Sequence, residues 1–324
     1  MLYLFKETFY TMEKTCDLHI HTNKSDGILT PLEVIKYAKE KNLKNLSITD
    51  HDNVDFYFDK EASNFAKENG IEIIPGCEFV CNVDGVAIEI LGYGIDIKRA
   101  KEYLNINGVN QNMLERLRDK YVPPIFESKG IKLDYDSSSV NFSLSNPQCL
   151  ELIFEAVKKS SKAREIILNE DPSALDNINN FLRKVINNQK SYFFSNISSH
   201  YPSYKKIINT IHSLGGIAIL AHPLQYGDDK YKVINSVINA GIDGIECYHF
   251  TTFFAPFGCE KLKQICKDNG LLITGGSDFH YPVDPAHVKD KLNEIGVPIS
   301  CFNNLKKSIE KAHNDKSLLK NFNI

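Results

Sequence analysis

Apolar residues in this chain fall into short unbroken runs, separated by stretches in which they recur every three or four positions. The runs at 16–20, 46–49, 71–74, 86–93, 217–221, 244–247 and 271–274 have the length of buried strands. The stretches between them read as helices, so strand and helix alternate as in a parallel α/β fold. Local chemistry marks the boundaries. Thr30-Pro31-Leu32-Glu33 has the form of a capping box with proline at the first helical position, opening a helix to about residue 41. A helix over 56–68 closes at Asn69-Gly70, and Asp84-Gly85 is a hairpin signal leading into 86–93. From about residue 96 to 190 strand signals vanish, helical patterns dominate, and asparagine and lysine are common. Alternation resumes near residue 203, with helices expected over 260–267 and 305–313. Seven strands are expected in all, one short of the usual β/α barrel.

The polar residues that follow these runs give the pattern a chemical meaning. They are His19-Ile20-His21 with Asp26, Asp50-His51-Asp52, Ala221-His222-Pro223, and Ser277-Asp278-Phe279-His280. Residues two apart in a strand point the same way, so His19 and His21 can face one ion. A lone His-x-His is weak evidence. Its force comes from three further histidine- and carboxylate-bearing segments at strand ends, where a parallel barrel collects residues far apart in sequence on one rim. Imidazoles and carboxylates gathered in this way are ligands for divalent metals.

Charge and composition narrow the classes. The net charge of −3 gives no global basic field to hold long nucleic acid. No apolar run approaches the roughly 18–20 residues that span a bilayer. The first fifteen residues lack the apolar core and small-residue cleavage site of a secretion signal. A second methionine, Met12, precedes the first strand, and a start there would leave residues 1–11 as an extension. Eight cysteines form no C-x-x-C pair and no disulfide-like spacing, which fits reduced thiols and a cytoplasmic home. No P-loop, G-x-G-x-x-G after a strand, or G-x-S-x-G elbow is present, so nucleotide-dependent transfer and serine hydrolysis find no support.

The segments DLHIHTNKSDG, ITDHDN, PGCEF, LGYGID, GGIAILAHP, GIECYH and GGSDFH resemble, in order, the motifs of the PHP (polymerase and histidinol phosphatase) superfamily. Within it the chain is similar to the stand-alone phosphoesterases, the nucleoside 3',5'-bisphosphate phosphatases and the enzymes that trim 5' ribonucleotide ends. The resemblance covers about residues 16–100 and 200–282. It implies a distorted (β/α)7 TIM-like barrel at 16–95 and 200–324, an N-terminal extension at 1–15, and a mostly helical insertion at 96–199 over the barrel mouth. It also implies two or three divalent metal ions (manganese, iron or zinc) that hydrolyse a phosphoester with a metal-activated hydroxide. His19, His21, Asp26, His51, Glu78, His222, Asp278 and His280 match the family's ligands. Glu89 stands where the family usually has a histidine, and a carboxylate there still suits these metals. Where relatives carry Arg-Pro-His in the insertion, this chain reads Asn146-Pro147-Gln148.

Further roles complete the expectation. His249, ending the strand at 244–247, is the candidate for protonating a leaving group or touching phosphate, and Asp278 is counted with it as catalytic. Arg116 is the candidate phosphate-binding cation. Asp17 and Asp52 are expected to support the ligands, with Asp17 fixing an imidazole. His200, beside Tyr201-Pro202, carries weaker support. The expected activity is that of a phosphoesterase acting on a small phosphomonoester or a nucleotide end. Alternatives are a 5'-3' exonuclease or phosphodiesterase on short oligonucleotides, a phosphatase of a non-nucleotide such as histidinol phosphate, and a catalytically degenerate regulatory barrel. The expected partner is a small phosphorylated substrate, nucleotides and short oligonucleotides included, with no membrane and no obligate protein partner.

Overall fold

In a computed structural model, residues 14–109, 111–138, 140, 149–254, 258–282, 292 and 295–314 are described. Asn146-Pro147-Gln148 and the suggested 1–11 extension lie outside them. The chain divides into two compact units, one from the described parts of 1–81, 88–108 and 203–324, the other from those of 82–87 and 109–202.

The first unit carries the strands β1 (Lys14–Ile20), β2 (Asn45–Ile48), β3 (Glu72–Ile73), β4 (Gly76–Val83), β5 (Val86–Tyr93), β6 (Ile217–Leu220), β7 (Gly244–Tyr248), β8 (Leu272–Gly275) and β9 (Val297–Pro298), with the tip of the β4–β5 hairpin counted in the second unit. They form two sheets, ordered β3-β2-β1-β9 and β4-β5-β6-β7-β8. The pairs β1–β2, β2–β3, β6–β7 and β7–β8 are parallel; β5–β6 and β1–β9 are antiparallel. A single closed ring is therefore not what the ladders describe. Two isolated parallel bridges, Ile20 with Phe279 and His51 with Glu78, link the sheets beyond their regular strands.

Strand β4 is absent from the seven expected, because Glu78 and Asn82 interrupt its apolar run. Gly76 starts it for lack of room: a Cβ there would lie 2.4 Å from Ser47 Oγ. The expected capping box is formed, with Glu33 accepting from the Thr30 amide at 2.8 Å, and it opens α1 (Pro31–Glu40). The single helix expected over 56–68 is instead a 3-10 turn, Asp55–Phe58, and then α2 (Lys60–Glu68). Asp59 divides them because its side chain accepts from Ala62 N and caps the second. Further helices are α3 (Ile97–Asn107), which belongs to the first unit although it falls inside the insertion expected from residue 96, and, in the second unit, α4 (Gln111–Ser128), α5 (Cys149–Lys159), α6 (Ser161–Glu170) and α7 (Ile178–Phe181). The first unit resumes with α8 (Tyr204–Ser213), α9 (Lys230–Asn239), α10 (Phe250–Phe254), α11 (Gly258–Asn269) and α12 (Ile299–Asn314). No helix among the described residues is long and apolar enough to cross a membrane.

Each unit has its own core. In the first, Ile20, Val34, Ile35, Leu46, Ile48, Phe56 and Phe279 pack together behind the strand ends. In the second, Phe126 and Phe193 stack at 4.2 Å amid Val122, Ile153, Val157 and Phe181. Burial on this scale is what holds short helices in place, since isolated ones are marginal in water.

Candidate metal centre

Alternation along β1 does the first part of the work. Leu18 and Ile20 go into the core, so His19 and His21 face the other way, and both are fully buried. His51 follows β2, Glu78 lies on β4, Glu89 on β5, His222 follows β6, and Asp278 and His280 follow β8. The structure brings all nine expected ligands together. Glu78 sits at their centre. Its Oε2 lies 3.0 Å from His19 Nε2, 3.2 Å from His21 Nε2 and 3.3 Å from His51 Nδ1, and its Oε1 lies 3.1 Å from His222 Nε2.

Three overlapping groups emerge: His19, His21, Glu78 and Asp278; His21, Asp26, His51 and His280; and His51, Glu78 and Glu89. In the first, Asp278 Oδ1 is 3.5 Å from His19 Nε2 and 3.3 Å from His21 Nε2, and those two nitrogens are 3.1 Å apart. Four donor atoms about one ion at roughly 2.0–2.2 Å are separated by about 3.3–3.6 Å, so this set fits a single cation. In the second, Asp26 lies 3.2 Å from His280 and 3.7 Å from His51. In the third, Glu89 lies 4.0 Å from His51, which makes the carboxylate in the histidine's place a candidate ligand; His222, outside all three groups, lies 3.2 Å from Glu89. The donor set tests the fit a second way. His21 Nδ1, His51 Nδ1 and His222 Nδ1 are buried with no hydrogen-bond partner. Such atoms are rare unless something else satisfies them.

Charge balance follows the same geometry. Burial works against protonating the imidazoles, yet the surrounding carboxylates prevail. His51 is raised to about 9 by Asp26, Glu78 and Glu89, and His222 and His280 to about 10. His19 is also raised, by Glu78, Glu246 and Asp278. Burial opposes ionisation of Asp26, Glu78 and Asp278 too, but the facing imidazoles hold all three below the carboxylate range. In the metal-free protein, protons supply the positive charge that cations would otherwise bring.

A supporting layer fixes the ligands. Glu246, fully buried on β7, takes His19 Nδ1 at 3.0 Å and accepts the His222 amide at 2.8 Å. The sequence reading gave it no role. The signal was there, since a carboxylate inside a buried apolar strand needs a partner. Asp17, expected to fix an imidazole, instead accepts the backbone amides of His19 and Ser277, and burial pushes it up to about 6. Asp50 accepts from Thr22 N, Thr22 Oγ1 and Ser25 Oγ at 2.7 Å each, shaping the loop that bears Asp26. Asp52 accepts from Val80 N at 3.2 Å. Gly276 permits the closeness of β1 and β8, for a Cβ there would be 2.2 Å from His19 Cβ. Asp52, His222 and Asp278 have φ of 43°, 24° and 55°, a strained region that L-residues keep only when their surroundings hold them there.

The other expected residues fare differently. His249 is fully buried, with Nδ1 2.8 Å from Thr251 Oγ1 and Nε2 3.6 Å from Asp278 Oδ2. Burial lowers its pKa, which favours the neutral imidazole beside Asp278. Arg116 is exposed on α4 of the second unit. Its neighbour Arg118 pairs with the buried Glu115 at 2.5 Å.

Comparison with known proteins adds an independent line. The PHP domain family model matches residues 17–247. A 5'-3' exoribonuclease of Haemophilus influenzae is 30% identical over 279 residues, covering 84% of this chain and 92% of its own. A 3',5'-nucleoside bisphosphate phosphatase of Chromobacterium violaceum is 27% identical over 287 residues, covering 85% and 91%. Among solved structures, a proposed metal-dependent phosphoesterase from Bifidobacterium adolescentis superposes with a TM-score of 0.59 at 21% identity, covering 90% of this chain and 94% of that one, a likeness of fold.

Two outcomes follow from the site. Because His51, His222 and His280 are protonated at neutral pH without metal, adding Mn²⁺ or Zn²⁺ to metal-free protein at pH 7 will release protons. Metal affinity will then rise with pH and level off near 9–10, where these groups lose their protons; calorimetry in buffers of differing ionisation heat measures both. A flat affinity from pH 6 to 9 would show that the imidazoles are not displaced. Glu246→Gln, which keeps the shape but weakens the hold on His19, will lower metal affinity about 10–100-fold by the usual effect of losing a ligand's supporting partner.

Proposed function

The chain belongs to the PHP domain family, and on that footing we propose that it is a metal-dependent phosphoesterase acting on nucleotides, releasing phosphate from a small phosphomonoester or trimming a nucleotide end. The observation that carries this reading is the sharing of ligands among the three groups. Glu78, His21 and His51 each serve two of them, which makes the groups one centre. Mixed imidazole and carboxylate donors suit manganese, iron or zinc, and three groups accommodate up to three ions. Divalent ions there supply Lewis acidity that lowers the pKa of water and neutralises charge on phosphoryl oxygens.

The chain's own residues do the rest. Glu78 gives one oxygen to His19, His21 and His51 and the other to His222, fixing the order of the centre. Glu246 orients His19, and His249 holds a neutral imidazole beside Asp278. Asp26, its side chain 46% exposed, and Glu89, 30% exposed, mark the side open to solvent and so to substrate.

We read the two sheets as arcs of one distorted TIM-like barrel. Support comes from the two bridges: Ile20–Phe279 joins β1 to the chain leaving β8, and His51–Glu78 joins the chain leaving β2 to β4. The eight free cysteines fit a reducing compartment, and we place the protein in the cytoplasm. A 5'-3' exoribonuclease on short oligonucleotides is the second reading, favoured by the 30% identity to the enzyme of that name.

Manganese-loaded protein will release phosphate, or nucleotides from a short 5'-phosphorylated RNA, in a panel that also holds nucleoside 3',5'-bisphosphates, mononucleotides and sugar phosphates. Chelator will abolish turnover and added manganese will restore it. His21→Ala, which removes a ligand common to two groups, will lose at least about 100-fold with its circular dichroism unchanged. Silence across the panel by protein shown to hold metal would favour a regulatory, non-catalytic barrel.

A further inference from the structure

His200, the histidine outside the metal centre that the sequence singled out, lies in the second unit on a groove of about 440 Å³. One wall is α4, through Tyr121, Pro124 and Ile125; the other is Ser195 with the 3-10 turn Asn196–His200 that follows it. The Tyr121 and His200 rings stack at 4.5 Å with 20° between their planes. Ser195 is 1% exposed, yet its Oγ has no hydrogen-bond partner. A buried hydroxyl in that state is costly and is seldom left so without a ligand or water to meet it.

We propose that this groove binds a nucleobase. Its lining is aromatic and aliphatic, with hydroxyl and amide groups from Ser195 and Asn196 that both give and accept hydrogen bonds. A base offers the matching combination of a flat π-face and an edge of mixed donors and acceptors. Recognition is through stacking and hydrogen bonding rather than net charge, so it needs neither the ribose nor the phosphate. A cation lies nearby for the ribose phosphate of a nucleotide whose base fills the groove, since Lys120 Nζ is 4.9 Å from the Tyr121 ring. The inference deepens the proposed function by giving a nucleotide ligand its own base site in the second unit, and it rests on that reading for the ligand's class.

The test uses the full chain stripped of metal in chelator and the uncharged nucleoside adenosine, so that neither turnover nor phosphate binding enters. Ligand-observed NMR will show saturable adenosine binding, with ribose failing to compete. His200→Ala, at an exposed position, will weaken adenosine about tenfold, the loss expected when a stacking ring is removed. Ser195→Ala will also weaken it while leaving the melting temperature unchanged or raised. A hydroxyl with a purely structural role would do the reverse, lowering the melting temperature and sparing the affinity. No saturable binding by the unaltered protein, equal affinity in both variants, or equal competition by ribose would each overturn the proposal. Because no hydrolysis is measured, an inactive enzyme that binds adenosine would refute the proposed function and leave the groove standing.

Discussion

The Glu78 carboxylate, without solvent exposure and faced by four imidazoles, is the constraint on which the rest of this structure depends. Taking a charge out of water is expensive and is tolerated only when opposite charge and hydrogen bonds surround it. That compensation must come to β4 from three other strand ends, because His19 and His21 share one strand but His51 and His222 each need another. Convergence of β1, β2, β4 and β6 is thus an electrostatic requirement of the site as well as a packing preference of the fold. The same arrangement explains the raised histidines. In the absence of cations each needs its proton to balance a carboxylate that has nowhere else to turn.

The surrounding structure is strained to meet this demand. Asp278 and His222 adopt left-handed backbone conformations just after their strands, turning side chains inward that regular strand geometry would send elsewhere. Gly276 lets the chain leaving β8 lie against His19 with no room for a side chain. Behind this layer Glu246, Asp17 and Asp50 tie ligands and loops together through buried hydrogen bonds. Tyr93, fully buried, donates to the Leu18 carbonyl at 2.7 Å and so ties β5 to the strand bearing both histidines.

Much of the centre was legible because its residues break an otherwise apolar pattern at strand ends. His19 and His21 flank Ile20, and the alternation alone predicts that the histidines face one way and the isoleucine the other. Glu78 and Glu89 were less so: both sit within strands whose apolar runs they interrupt, and the family motifs located them. Glu246 went unassigned although its motif was seen, because a carboxylate in a strand reveals its partner only once the neighbouring strands are in place. The strand Gly76–Val83 was missed because Glu78 and Asn82 interrupt its apolar run, and the division into two sheets because pairing between distant segments leaves no local trace. Asp59 shows the opposite failure. A helical period ran through it, but its side chain prefers to cap α2 and so divides the expected helix.

Crystals soaked in manganese and measured at its absorption edge would locate the ions directly, because anomalous peaks need no assay. A centre organised by Glu78 will show peaks held by the three overlapping groups, with Glu78 beside more than one of them and Glu89 beside one. Peaks at other residues, or a fully loaded crystal in which Glu78 touches none, would contradict it.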